Sequence, residues 1–195
     1  MEIDYPDGAT PLDPDEMEGL KFTHIETRGE LDQLEQQNIQ EGFAWLARQR
    51  KYSDLLTEAF LLELHKRLFG LVWSWAGHFR RSGKNIGVDC LVIGVELRNL
   101  FDDARFWLEN ETYSREEFAA RFHHRLVKIH PFPNGNGRHA RIMTDEILKS
   151  MLQVKPINWA TRPLETDGEH RKTYIHALRA ADANDYRELI TFVSK

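Results

Sequence analysis

His130-Pro131-Phe132-Pro133-Asn134-Gly135-Asn136-Gly137-Arg138-His139-Ala140-Arg141 puts an imidazole, a tight glycine-bearing loop and two arginines into one short run, directly before an apolar-periodic segment. Amides at the start of a helix lack intrahelical partners, and the helix dipole adds positive potential there, so such a start is an anion site. Gly135 and Gly137 let the backbone close around oxygens, and Arg138 and Arg141, three apart, share a helix face. A histidine just ahead of this cradle is placed to take a proton from a nucleophile attacking a bound phosphate. The stretch therefore points to a phosphorylated ligand, and the plain alternative is a Gly/Asn-rich loop with two solvated arginines.

Working outward, Ile142, Met143, Ile147, Leu148 and Met151 predict a buried helix from about Gly137 to Leu152, ending before Pro156. Upstream, Leu97–Glu109 and Arg115–Lys128 carry apolar residues at helical spacing, and Phe132 is apolar and anchors the loop. Two further helices fit Gly168–Ala181 and Asn184–Val193. Between Lys84 and Val95 two short β-prone runs flank Asp89 and read as a small hairpin. Thr27 with Glu30 forms a capping-box pattern opening a first helix to about Arg50, with Leu31, Leu34, Ile39, Phe43 and Leu46 as its apolar positions and Asn38 as polar surface. Ser53 and Asp54 cap a second helix that ends at Gly70. Residues 1–26, with Pro6, Gly8, Pro11, Pro14 and Gly19, read as an arm, ordered where Leu20, Phe22 and Ile25 meet a surface.

With 26 basic and 31 acidic residues the formal charge is −5, which disfavours nonspecific nucleic-acid binding. Arg80, Arg81 and Lys84 read as a solvated basic run. Cys90 is the single cysteine and reads as a small buried hydrophobe, so no disulfide framework or thiolate metal cluster exists. His123 and His124 are adjacent and make a poor chelate, and His139 reads as exposed. Neither a signal peptide nor a membrane-spanning run is present in the sequence, so the expectation is a cytoplasmic protein without membrane contact.

The opening string resembles the Fic (Fic/Doc) family signature, His-x-Phe-x-Asp/Glu-Gly-Asn-Gly-Arg-x-x-Arg, at seven of its eight fixed positions, and Asn134 stands where the signature has its acid. Within the family it is closest to the bacterial type called mobile mystery protein B. Trp73-Ser74-Trp75-Ala76-Gly77-His78-Phe79-Arg80 resembles a further family stretch, and His65 resembles a structural position of the family. The resemblance implies an all-α, Fic-like helical bundle over 27–195, with a β-hairpin flap at about 84–95 and the active-site loop at 130–141. It implies transfer of AMP from ATP to a Ser, Thr or Tyr hydroxyl of a target protein, with Asn85, Ile86, Gly87 and Val88 holding the target by strand addition.

In that reading His130, partly neutral near pH 7, is the base. Gly135, Asn136 and Gly137 cradle the phosphates, and Arg138 and Arg141 hold the terminal ones. The family's acid binds Mg2+; Asn134 is a weaker, uncharged ligand, which leaves open an altered or catalytically silent nucleotide-binding module, as in a toxin–antitoxin-like pair. Many relatives are restrained by a glutamate on a separate helix that pairs with the motif's second arginine. The nearest pattern here assigns that role to Glu41 against Arg141, with Glu35 as the alternative on the same helix; an antitoxin-like inhibitory protein is the other route. Self-association into a homo-oligomer is left open.

Overall fold

The computed structural model describes residues 13–25, 27–48, 54–157, 159 and 168–194. Among them run α1 (Pro14–Met17), α2 (Arg28–Arg48), α3 (Glu58–Phe69), a 3-10 turn at Cys90–Val92, α4 (Ile93–Glu109), α5 (Arg115–Ile129), α6 (Asn136–Ser150), α7 (Gly168–Asp182) and α8 (Arg187–Val193). The described residues are thus all-α, as the resemblance implies, and the apolar residues of these helices recur at helical spacing. α6 is the central element: Ala140, Met143, Ile147 and Leu148 are fully buried, with α5 and α3 packed against it. α4 and α8 cover the other sides of α5, and α2 lies on α3.

Local chemistry sets the helix starts. Thr27 and Glu30 exchange reciprocal bonds (Thr27 N–H to Glu30 Oε2, 3.0 Å; Glu30 N–H to Thr27 Oγ1, 3.3 Å), the capping box expected there. α3 is capped by the Thr57 hydroxyl, which accepts from Phe60 N–H, rather than by Ser53, which lies outside the described residues. Gly70 follows its last turn as expected. Ser114 caps α5 by accepting from Glu117 N–H.

Residues 84–95 depart from the predicted hairpin: among the described residues no strand forms. The Asp89 carboxylate accepts the Leu91 N–H at 2.8 Å and so starts a 3-10 turn that runs into α4. Leu91, Val92 and Val95 stay exposed while Ile93 and Leu97 are buried, which is helical and not alternating periodicity. Residues 84–88 remain as an irregular segment.

Several polar residues are placed differently from expectation. Asn38 is buried on α2, with its amide donating to Arg67 O (2.9 Å) and accepting from Leu71 N–H (2.8 Å), so it satisfies backbone groups at the end of α3. Phe43 and Met151, expected in the core, are 43% and 41% exposed. Cys90 is half-buried. In the N-terminal segment Leu20 makes an isolated antiparallel bridge with Trp73, and Leu20, Phe22 and Ile25 pack on the core. No helix among the described residues is long and apolar enough to cross a membrane.

Candidate active site

His130 ends α5 in a left-handed conformation (φ 53°, ψ 60°), which turns the chain sharply into the loop. The loop is held from three sides. Phe132 is fully buried and stacks on His65 with ring centroids 3.6 Å apart. The Asn136 side chain closes a reciprocal pair with the Phe132 backbone, accepting its N–H at 2.9 Å and donating to its carbonyl at 2.8 Å. Gly77 N–H donates to His65 Nδ1 (3.0 Å), so Nε2 carries the proton and donates to the Asn134 carbonyl at 3.1 Å. The sequence singles out Asn136 for its amide alone; its side chain holds the loop.

Gly135 opens α6 at φ +77°, and a Cβ there would lie 2.7 Å from the Phe69 ring, so only glycine fits both the conformation and the space. Its carbonyl accepts the first helical bond, from His139 N–H at 2.9 Å. The amides of Asn136, Gly137 and Arg138 precede that bond and have no intrahelical acceptor. The open amides at this helix start are thus those of residues 136–138 and not 135–137 as expected, because Gly135 N–H is already bonded to Asn134 Oδ1.

The segment 84–88 lies against this turn. A Cβ on Gly87 (φ +101°) would stand 2.7 Å from His130 Cβ, and Val88 N–H donates to Ile129 O at 3.4 Å. Arg80 makes the junction: its Nε donates to His130 O (2.7 Å), its Nη1 to Ser82 O (2.8 Å) and its Nη2 to Val88 O, while its own N–H donates to Pro131 O (2.9 Å). Arg80 is 2% exposed, so it is not the solvated charge its sequence context suggests.

Burial, with Arg80 and Lys84 adding to it, lowers the His130 pKa to about 4. Its imidazole is neutral throughout the physiological range. His139 is also corrected: it is fully buried, contacts Leu61 O through Nε2 at 3.1 Å and is lowered by burial to about 3. His123 is buried against the Tyr174 hydroxyl (2.8 Å), and His124 sits between Asp182 (3.0 Å) and Tyr186 (3.1 Å).

These neutral histidines set a pH dependence. An unfolded histidine titrates near 6.5, so as pH falls from about 6.5 toward 4 the unfolded chain takes up protons that His130 and His139 refuse, and stability falls. Asp145, raised by burial to about 6, acts oppositely: its contribution is present below about 4 and is lost as pH rises through 6. Two histidines outweigh one carboxyl, and a loss on the order of several kcal/mol between pH 7 and pH 4 is expected. Urea denaturation across that range measures it; a flat profile contradicts the burial of these rings.

The arginines divide. Arg138 Nη1 pairs with Glu35 Oε2 at 2.7 Å and lies 4.8 Å over the Phe69 ring. Glu35 is 4% exposed, and its Oε1 accepts the Trp73 indole N–H at 2.7 Å. Glu41 is exposed, so the carboxylate that reaches the motif from α2 is Glu35, and it reaches Arg138 and not Arg141. The six-residue step from 35 to 41 rotates 41 away from the face that 31, 35 and 38 share. Arg141 lies 5.9 Å from the Tyr174 ring and within electrostatic range of Asp145 and His123.

Asn134 Oδ1 accepts the adjacent Gly135 N–H at 2.5 Å. That oxygen is committed to the loop and carries no charge, and no group of three or more His, Cys, Asp or Glu side chains that could hold a metal exists among the described residues. The donor set does not fit a protein-held magnesium ion.

Residues 55–148, from the turn before α3 to the last turn of α6, match the model of the Fic/DOC family. These residues are a Fic/DOC domain. The chain is 30% identical over 146 residues to the "Protein adenylyltransferase Fic" of Aedes aegypti, covering 73% of this chain and 28% of that one. It is 32% identical over 138 residues to the protein of the same name from Drosophila virilis, covering 69% and 27%. The chain thus spans little more than a quarter of the curated relatives it matches. Its fold is similar to the N-terminal FIC domain of Bep8 from Bartonella sp. 1-1C (TM-score 0.72, 17% identity, 90% of this chain and 88% of that one). It is also similar to Fic-1 from C. elegans (TM-score 0.65, 24% identity, 91% and 51%). The Fic match spans His130, the loop and both arginines, and Glu35 lies outside it on α2.

Proposed function

We propose that this Fic domain transfers AMP from ATP to a Ser, Thr or Tyr hydroxyl of a target protein. The observation that carries the reading is the juxtaposition of a neutral His130, the open amides of residues 136–138 and the 84–88 segment at one turn. Adenylyl transfer is what the names of the relatives in Aedes and Drosophila describe. Within the family, its sequence is read as resembling the mobile mystery protein B type.

In the reaction, the ATP phosphates lie over the start of α6, where Gly135, Asn136 and Gly137 place their backbone. His130 accepts the proton of the target hydroxyl as its oxygen bonds the α-phosphorus. The bond from the α-phosphorus to the bridging oxygen breaks, and pyrophosphate leaves. The open amides are preorganised for charge developing on the α-phosphoryl oxygens. Arg141, and Arg138 once detached from Glu35, orient the β and γ phosphates. Asn85, Ile86, Gly87 and Val88 flank the base and present the target backbone; Gly87 leaves no side chain between that backbone and His130.

Magnesium enters this scheme only as an ion brought by the nucleotide. Asn134→Asp keeps an acceptor for Gly135 N–H and adds a charged oxygen where the amide nitrogen was. It is expected to lower the magnesium concentration for half-maximal transfer by roughly tenfold, the equivalent of about 1.4 kcal/mol. A metal titration of labelling measures this; an unchanged midpoint limits residue 134 to closing the loop.

The function itself is tested with α-labelled ATP in a lysate. Label that appears on protein with the wild-type chain and is absent with His130→Ala supports transfer. Nucleotide binding without any label supports the silent module, in which case an antitoxin-like partner becomes the natural ligand of the loop.

A further inference from the structure

The segment preceding α2 touches both halves of the site. Asp13 and Glu16 close a capping box around α1, with Asp13 N–H donating to Glu16 Oε2 at 2.9 Å. Their carboxylates hold Lys84, whose ammonium donates to Asp13 Oδ2 at 2.9 Å and to Glu16 Oε2. Ser82 Oγ also donates to Asp13 Oδ2, at 2.9 Å. The Lys84 side chain is 3% exposed and that of Glu16 13%, so their pair is an enclosed anchor, which the half-exposed Asp13 joins from outside. It sits at the first residue of the segment facing His130.

The same short stretch continues onto Trp73 and Trp75. Glu16 O accepts the Trp75 indole N–H at 2.9 Å, and a Cβ on Gly19 would lie 2.3 Å from that indole. Gly19 O accepts Ser74 N–H (2.8 Å) and Lys21 N–H donates to Val72 O (2.9 Å), so the chain is laced along 72–74. Trp75 stacks on Trp73 at 4.9 Å between centroids, and Trp73 in turn donates its indole N–H to Glu35. The contacts run unbroken through Lys84, Glu16, Trp75, Trp73, Glu35 and Arg138. Glu16 is the pivot: its carboxylate grips the 84–88 side and its carbonyl grips the Glu35 side.

We infer that residues 13–21 are a strut coupling the position of the 84–88 segment to the Glu35–Arg138 ion pair, with Glu16 as its positioning residue. The inference rests on the readings of 84–88 as the target-facing segment and of Glu35 as the restraint on Arg138. A target displacing 84–88 pulls on Lys84 and Glu16, shifts the indole pair, and loosens the carboxylate from the arginine. Release of the phosphate-binding arginine is then linked to target engagement, which limits futile use of nucleotide when no target is present. The linkage is reciprocal, as equilibrium couplings must be.

A contiguous chain of contacts establishes a route and not a coupling energy, so the test measures coupling directly. Lys84→Met keeps the aliphatic stem and removes the anchor; Glu16→Gln is the milder variant, leaves the backbone carbonyl on Trp75, and carries the test if Lys84→Met fails to fold by circular dichroism. In hydrogen exchange of the isolated chain, either variant is expected to speed exchange at 84–88 and also at amides around Glu35, by at least about threefold. Calorimetric titration with ATP should show at least threefold tighter binding, and that gain should vanish in a Glu35→Gln background. Exchange that changes at 84–88 alone, or affinity effects that add independently, would overturn the coupling. Neither readout requires transfer. Coupling found in a chain that labels no target would leave the strut standing and remove the transferase reading, and labelling without coupling would do the reverse.

Discussion

His130→Ala is expected to reduce transfer by roughly 10²–10⁴-fold while ATP affinity changes little. In the proposed reaction the imidazole acts on the incoming hydroxyl, whereas the phosphates are met by amides on the other side of the turn. Because His130 titrates at about 4, the acid limb of the rate should lie near that value and not near 6.5. The proton-accepting form is present above about pH 5 and is lost as pH falls through 4. Measuring single-turnover labelling from pH 4 to 8, with binding followed separately, checks both statements over the range where the protein remains folded. Near-normal turnover in the variant removes His130 as the base. An acid limb near 6.5 instead would mean that target and nucleotide do not find the buried, Arg80-flanked imidazole described here.

Such a low value also has a chemical consequence. A base of pKa about 4 holds a proton weakly, so it accepts one from an alcohol only as the new oxygen–phosphorus bond develops. In the proposed reaction the histidine therefore works late in the attack, and positioning carries more of the rate than basicity does. That places weight on Arg80, which ties the carbonyl of His130, the carbonyl of Pro131 (through its own N–H) and the carbonyl of Val88 into one unit.

Periodicity made the helices legible. Leu100 and Ala104 are buried on α4 and Phe118, Phe122, Leu126 and Ile129 on α5, where their spacing put them, while Trp107 and Leu108, expected on the same α4 face, are half-buried. The helix start was legible from its own residues, because Gly135 and the open amides lie within the motif itself, whereas the bracing of the loop by His65 and Gly77 was not. Periodicity failed where a β-prone run was short: Leu91-Val92-Ile93 looks extended, yet the Asp89 cap turns it into helix. It also failed for buried polar residues. Asn38, Glu35 and Arg80 lie next to surface-like neighbours in sequence, and each is buried because it meets a backbone or side-chain group contributed by a distant segment. A single chain read residue by residue carries no signal for such pairings. The choice between Glu35 and Glu41 depended on one of them: the Trp73 indole sits across from position 35.

Glu35→Gln is expected to raise ATP affinity and labelling by roughly ten- to a hundredfold, the equivalent of about 1.5–3 kcal/mol for a charge-assisted contact regained by the nucleotide. Glutamine keeps an acceptor for the Trp73 indole, so the change removes the charge without stripping that buried donor of its partner. Arg138 is 22% exposed at its side chain and retains the Phe69 ring beneath it, so losing Glu35 leaves it close to the cradle and free to meet phosphate oxygens. The truncation Glu35→Gly would confuse the result, because it also leaves the buried Trp73 indole N–H without its acceptor, at a cost of about 1–3 kcal/mol. Glu41→Gln is the internal control: exposed on the same helix, it should leave affinity and labelling at wild-type values. Parallel gains in both variants would point to the overall charge of α2. No gain in either would mean that the Glu35–Arg138 pair only braces α2 against α6, and that restraint of the site is supplied by another protein.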